Sequence, residues 1–405
     1  MGGIFQNGPE QFQSIFEREV TPKILGRFFY DKARYGDKPD LIPLEEKHKN
    51  IETGLGPVIV TCDYGGSHSK YDVENQDSFV CGNTKDGSTF VAVIDGAGGS
   101  GGGLEASIHA NSDLGTNLTQ GVSPLEALRS ANKSLIGINE QKSLQARADG
   151  RRFDWDFDDI YATAVAVKVE KSRRVLLAAS GDSKIATIRN GAILREGTTS
   201  MQNIPSQLID RSILDPEDYY CHPSKSSITG GLGIKNGEQP MGQEFLGQDK
   251  DRIVLASDGL WDLVSEYEVA WLSNQCRTAA EFQAALFKMA YDRNNADFPY
   301  HIEHAPGVLV SMPSYRKGGD NITIAVMELD FSSKEQVYLG FEGNPVANVV
   351  YRIDQTLIRV EEATEKVGKD QIKISELNPD GSLLAKYILD RELWNQLAQI
   401  GFSRA

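Results

Sequence analysis

The chain has 405 residues, 40% of them hydrophobic and 24% charged, which suits one large soluble domain with extensions, or about two to three domains. Its formal net charge of -15, from 42 basic and 57 acidic residues, argues against nucleic acid and anionic membranes as partners and is compatible with bound metal cations. Four cysteines without a C-x-x-C pair (Cys62, Cys81, Cys221 and Cys276) predict buried free thiols in a reducing, cytoplasmic compartment. There is no apolar run of about 18 residues to span a membrane, and no signal peptide is expected. Met1-Gly2-Gly3 hints at myristoylation, but Gln6 stands where a serine or threonine is wanted.

In chain order, residues 9–30 carry a helical spacing at Phe12, Ile15, Phe16 and Val20, and the charged stretch 37–50 reads as linker or surface wrap. From Pro57 the period becomes two. Strands are predicted over 58–62, 78–81 and 89–94, the last two joined by a turn at Lys85-Asp86-Gly87. Helices follow over 104–118 and 124–145, the second opened by Ser123-Pro124. A further strand series covers 160–169, 175–179 and 184–189, with turns at Lys171-Ser172, Gly181-Asp182 and Asn190-Gly191. A buried strand at 253–256, helices at 266–275 and 279–294 and a strand at 322–326 close the series. Beyond Leu329 the texture is strand-rich at 337–341, 348–360 and 371–389, with a turn at Asn378-Pro379-Asp380-Gly381 and a short helix over 392–400.

Strands come in groups and helices in groups, without βαβ alternation, so the expected fold is α+β: antiparallel sheets with helices packed outside. The expected division is an N-terminal wrap over 1–55, a catalytic domain over 56–333 and a small extension or appended domain over 334–405.

The chemistry is written at strand ends. Phe90-Val-Ala-Val-Ile leads into Asp95-Gly96, and Ile253-Val-Leu-Ala-Ser into Asp258-Gly259. An aspartate leaving a buried strand is costly to ionise unless a cation faces it, and the following glycine lets backbone approach a ligand. Asp320 precedes the strand at Ile322, and Asp77 precedes the one at Ser78. Four such carboxylates suggest a hard-cation site for Mg2+ or Mn2+. A rival site, His301-Ile-Glu-His304, lacks zincin spacing and reads as exposed loop. The glycine run 98–103 follows a strand and precedes a helix, but no Lys-Ser/Thr pair completes a nucleotide loop.

Together these motifs resemble the metal-dependent (type 2C) serine/threonine protein phosphatases, over roughly two-thirds of the chain. The residues that carry the resemblance are Asn75-Gln76-Asp77-Ser78, Asp95-Gly96-Ala97-Gly98-Gly99, Ala162-Thr163-Ala164, Gly181-Asp182-Ser183, Thr229-Gly230-Gly231-Leu232-Gly233, Ala256-Ser257-Asp258-Gly259-Leu260-Trp261-Asp262 and Gly319-Asp320-Asn321-Ile322-Thr323, in the family's order. The resemblance implies a four-layer α/β/β/α sandwich with two metals at one edge. It implies that Asp95 bridges both, that Asp258 and Asp320 complete the first, that the Gly96 carbonyl binds the second, and that Asp77 acts through bound water. A third metal through Asp158, or next through Asp159, is implied by some relatives. The implied reaction is hydrolysis of phosphoserine or phosphothreonine on a phosphorylated protein by a metal-activated water.

Two departures stand out. Ala97 occupies the place of the histidine found in many eukaryotic relatives, so leaving-group protonation must come from water or another group such as His68. No arginine precedes Asn75, which leaves Lys70 to bind phosphate as a point charge. The competing reading is a catalytically inactive signalling scaffold on the same fold. Against it, Asp95, Asp258 and Asp320 are all present.

Overall fold

The computed structural model describes residues 48–53, 55–63, 75–84, 87–97, 102–153, 159–296, 299–312, 320–331, 350–353, 356–366, 369–377, 383–390 and 403–404. The chain divides into two compact units, of which the larger spans Lys23–Phe331. Its elements open with β1 (His48–Thr53), β2 (Gly56–Asp63), β3 (Asp77–Asn83), β4 (Thr89–Ala97), α1 (Gly102–Thr119) and α2 (Pro124–Ala148). There follow β5 (Tyr161–Val169), β6 (Arg174–Ser180), β7 (Lys184–Arg189), β8 (Ala192–Leu194), α3 (Ile204–Asp210) and β9 (Met241–Leu246). The unit closes with β10 (Arg252–Ala256), α4 (Asp258–Trp261), α5 (Glu266–Gln275), α6 (Ala279–Asn294), β11 (Tyr300–Ala305), β12 (Val308–Met312) and β13 (Ile322–Glu328).

Two sheets form the centre. One has six strands in the order β1-β2-β13-β10-β7-β8, and the other five in the order β3-β4-β5-β6-β9. Their unbroken apolar runs follow from burial on both faces. Along β4, Val91 and Val93 point into the space between the sheets, where they meet Val58, Val60, Phe79, Val165, Leu255 and Met327. The alternate residues Phe90, Ala92 and Ile94 face outward onto Leu114 and Leu118 of α1 and Leu128 and Leu135 of α2. The other sheet repeats the scheme: Ile59, Val254, Ile324 and Val326 cover Phe282, Leu286 and Phe287 of α6. Four layers, helix–sheet–sheet–helix, result, as the ordered motifs implied. The helices are punctuated where expected: the Ser123 side chain accepts from the Glu126 N–H, and capping boxes open α5 (Ser265, Glu268) and α6 (Thr278, Glu281).

Some expectations are corrected. The charged stretch 37–50 does not remain linker to its end, because β1 begins at His48 and pairs antiparallel with β2. His301 and His304 lie on β11, which pairs with β12, and not on a loop. His304 sits at a bulge between Glu303 and Ala305, and the two imidazoles have different neighbours. His301 Nδ1 lies 3.2 Å from Ser311 Oγ, and the His304 ring packs edge-on to Tyr220. All four cysteines are free, but only Cys62 and Cys81 are buried; Cys221 is exposed and Cys276 half-buried.

The described residues of the second unit are strands: β14 (Val350–Ile353), β15 (Thr356–Lys366), β16 (Lys369–Leu377), β17 (Leu383–Asp390) and β18 (Ser403–Arg404). They form one antiparallel sheet in the order β17-β16-β15-β14-β18. The helices read at 9–30 and 392–400 and the strand at 337–341 lie outside the described residues.

Candidate metal centre

Strand pairing brings the remote aspartates together. β3 pairs with β4 so that Asp77 stands opposite Asp95, and β4 pairs with β5 so that Asp95 stands opposite Thr163. Thr163 Oγ1 shares a 2.7 Å hydrogen bond with Ser183 Oγ, which draws the turn carrying Asp182 to the same rim. In the other sheet β10 pairs with β13, Ala256 opposite Ile324, so Asp258 and Asp320 emerge at one end.

Cross-sheet hydrogen bonds lock the two rims. Ser257 Oγ donates to Asp77 Oδ2 (2.9 Å) and accepts from the Thr323 N–H (3.1 Å). The Gln76 N–H donates to Asn321 Oδ1 (2.9 Å), and Asn294 Nδ2, at the end of α6, donates to the Asp320 carbonyl (3.0 Å). Glycine is required where backbones touch. A Cβ on Gly259 would lie 1.9 Å from the Asn321 carbonyl oxygen, and one on Gly96 would lie 1.9 Å from that of Gly103.

Asp95, Asp182 and Asp258 each offer a carboxylate oxygen, and these oxygens lie within 4.8 Å of one another. Two unit charges so placed repel by about 3–4 kcal/mol at an effective dielectric near 20. The electrostatics record the crowding. Burial, then the charge of Asp320, pushes Asp77 up to about 7, and burial, then Asp262, does the same for Asp182. Asp95 and Asp258 are held well above the usual carboxylate range, first by burial. Asp77 and Asp320 then raise Asp95, and Asp320 and Asp95 raise Asp258. Asp320 itself is exposed, yet its charge reaches all four of the others.

This cluster fits hard divalent cations. Every donor is oxygen, the preference of Mg2+ and Mn2+ over softer metals. Asp77 Oδ1 and Asp258 Oδ1 are buried without a hydrogen-bond partner, a costly state that a cation relieves.

Of the residues singled out from sequence, Asp77, Asp95, Asp258 and Asp320 come to one rim, and Gly96 lies there on β4 against Gly103. Lys70, Asp158 and His68 lie outside the described residues. Asp182 was read as part of a turn and of the Gly-Asp-Ser motif, not as a ligand, yet it is one of the three closest carboxylates. Its signal was present: it too follows a buried strand, β6, with a glycine beside it, but in the order Gly-Asp instead of Asp-Gly.

The model of the family described as protein phosphatase 2C matches residues 64–290. The chain belongs to the protein phosphatase 2C family. It is thus a metal-dependent protein phosphatase, as the ordered motifs implied. Among curated relatives, the serine/threonine phosphatase stp of Listeria monocytogenes is 25% identical over 263 residues, covering 64% of this chain and 92% of the relative. The protein phosphatase PhpP of Streptococcus pneumoniae is 26% identical over 253 residues, covering 62% of this chain and 89% of the relative. The solved serine/threonine phosphatase of S. agalactiae superposes with a TM-score of 0.51 at 25% identity, covering 67% of this chain and 99% of that structure. The 2C fold therefore accounts for the sandwich unit, and the sheet of β14–β18 lies beyond the residues that the family model matches.

Proposed function

We propose that Asp95, Asp258 and Asp320, with the Gly96 carbonyl, hold two divalent cations, Mg2+ or Mn2+, and that this protein, cytoplasmic and acting in signalling, hydrolyses phosphoserine or phosphothreonine on a phosphorylated protein. The single observation that carries this is the convergence of carboxylates from β4, the Gly181–Ser183 turn and the end of β10 on one rim, with oxygens within 4.8 Å. Bound there, such cations supply a water of lowered pKa and neutralise phosphoryl charge.

The protein's own part is to position these groups. Asp95 stands at the centre of the rim, where one carboxylate can serve two ions. Asp77 is oriented by Ser257, which accepts in turn from the backbone of β13, so its rotamer is set before any ligand arrives. Asn294 and Asn321 fix the start of β13, and with it Asp320. Ala97 carries no proton to donate, so the leaving group takes its proton from water or another group. Lys70 for the substrate phosphate and Asp158 for a third cation complete the proposal, as does a catalytic domain over 56–333 flanked by separate extensions. A scaffold without activity is the weaker reading, because the metal-facing carboxylates are intact.

The test is hydrolysis of p-nitrophenyl phosphate and of a phosphothreonine peptide, with and without MnCl2. Turnover that appears only with the metal and reaches the peptide is the expected result. A folded, Mn2+-saturated protein that hydrolyses neither would leave the scaffold reading standing.

A further inference from the structure

Two carboxylates beyond those assigned above face Asp258: Asp182 and Asp262 both raise its pKa through their charge. Their surroundings differ. Asp262 already has a cation, since Lys225 Nζ lies 2.9 Å from its Oδ2, with both side chains largely buried. The Tyr219 hydroxyl lies 3.3 Å from its other oxygen. Asp182 is only 4% exposed, and the charges that act on it, Asp262 and Asp320, are both negative. Among the described residues no lysine, arginine or histidine pairs with it. A buried carboxylate in that position needs a cation that the protein does not supply.

The turn that carries Asp182 is built to aim it. The Gly181 N–H donates to Gln202 Oε1 (2.8 Å), and the Gln202 N–H donates to the Gly181 carbonyl (2.7 Å). On the other side Ser183 is fixed to Thr163, the residue opposite Asp95. The Asp182 carboxylate thereby comes within 4.8 Å of those of Asp95 and Asp258. An independent sign of a missing ligand lies beside it: Asp77, 1% exposed and facing Asp95, has Oδ1 without a hydrogen-bond partner, as does Asp258.

We infer that Asp182 is a metal ligand of this centre, while Asp262 is withheld from the ions by its pairing with Lys225. The inference rests on the proposed metal centre and adds a ligand to it.

The experiment is calorimetric titration of Mn2+ into the metal-free full-length protein and its Asp182→Asn, Asp262→Asn and Asp95→Asn variants, with thermal melts of each before metal is added. Asp182→Asn should weaken Mn2+ binding by at least about 10-fold, the low end of the cost of losing even an outer partner of a ligand, with the metal-free protein melting no lower than wild type. Asp262→Asn should keep Mn2+ affinity within about threefold of wild type, since outer groups cost more than this only when they orient a ligand. Asp182→Asn with wild-type affinity, alongside an Asp95→Asn variant that loses binding, overturns the role of Asp182 and leaves the metal centre intact. If wild type binds no Mn2+, or Asp95→Asn binds it unchanged, the centre itself is wrong. Should Asp182→Asn not fold, anomalous scattering from Mn2+-soaked wild-type crystals decides. An Asp182 oxygen within about 2.5 Å of an ion supports the assignment, and an ion site that leaves Asp182 beyond that reach refutes it.

Discussion

β10 and β13 run side by side, and their two ends solve the same electrostatic problem in opposite ways. At one end Arg252 stands opposite Glu328 and bonds it at 2.9 Å, while Asp251, 1% exposed, is clasped by Arg189 through bonds of 2.9 and 2.7 Å. At the other end Asp258 and Asp320 gather with Asp77, Asp95 and Asp182, and the charges that shift Asp77, Asp95, Asp182 and Asp258 are all negative. The first end carries its own cations and is structural. The second leaves its carboxylates for ions from solution, which is the arrangement of a site.

The contrast breaks most sharply at Asp95. Asp95→Asn should lower Mn2+-dependent turnover of p-nitrophenyl phosphate by at least about 10²-fold, the scale of losing one preorganised electrostatic group. The metal-free variant should melt no lower than wild type, because a repelled charge has been removed. A variant with near-wild-type turnover would end the comparison. At the opposite end, Arg189→Met leaves buried Asp251 unpaired and should cost about 3 kcal/mol in urea unfolding, with Mn2+ affinity unchanged. An equal loss of metal binding would mean that the two ends are not independent.

Ser257→Ala sharpens the comparison further. It frees the Asp77 carboxylate from its 2.9 Å bond and should weaken Mn2+ binding about tenfold, read by calorimetry. The remaining test is pH. Asp77 and Asp182 titrate near 7 in the folded metal-free protein, well above the ordinary 3.8. Raised acid groups stabilise the fold below their ordinary value and lose that contribution as pH rises through the folded one. The metal-free melting temperature should therefore fall between about pH 4 and pH 8. Saturating Mn2+ should abolish or reverse the slope, since ligation displaces the protons. A metal-free protein that becomes steadily more stable over that range would contradict the reading.

The sandwich was legible in the sequence wherever both faces of a strand are buried. Runs such as Phe90–Ile94 and Ile253–Ala256 leave no polar alternative. β9 was not read, because its pattern, Met241-Gly242-Gln243-Glu244-Phe245-Leu246, belongs to a half-exposed edge strand with a single buried position. The β11–β12 hairpin was missed for a related reason: His301, Glu303 and His304 look like loop chemistry. The hairpin is held instead by backbone contacts, the Arg293 guanidinium donating to the His301 carbonyl and the Glu303 N–H donating to Glu268. In the site, the Asp-Gly pairs announced Asp95 and Asp258 because a glycine must follow where backbones collide. Locally Asp182 offered only a glycine beside it after a buried strand, in the reverse order of the Asp-Gly pairs. Its role depends on Thr163, Ser183 and Gln202, which meet only after the sheets have formed.

The contact beneath Gly259 bears on any attempt to retune this enzyme. With 1.9 Å between the position of an added methyl and the Asn321 oxygen, residue 259 works as a spacer of fixed width between two ligand-bearing loops. Laboratory evolution toward other ions has to keep hydrogen at that Cα, as at Gly96. Even alanine there would wedge the loops apart and widen the gap that the ions must bridge.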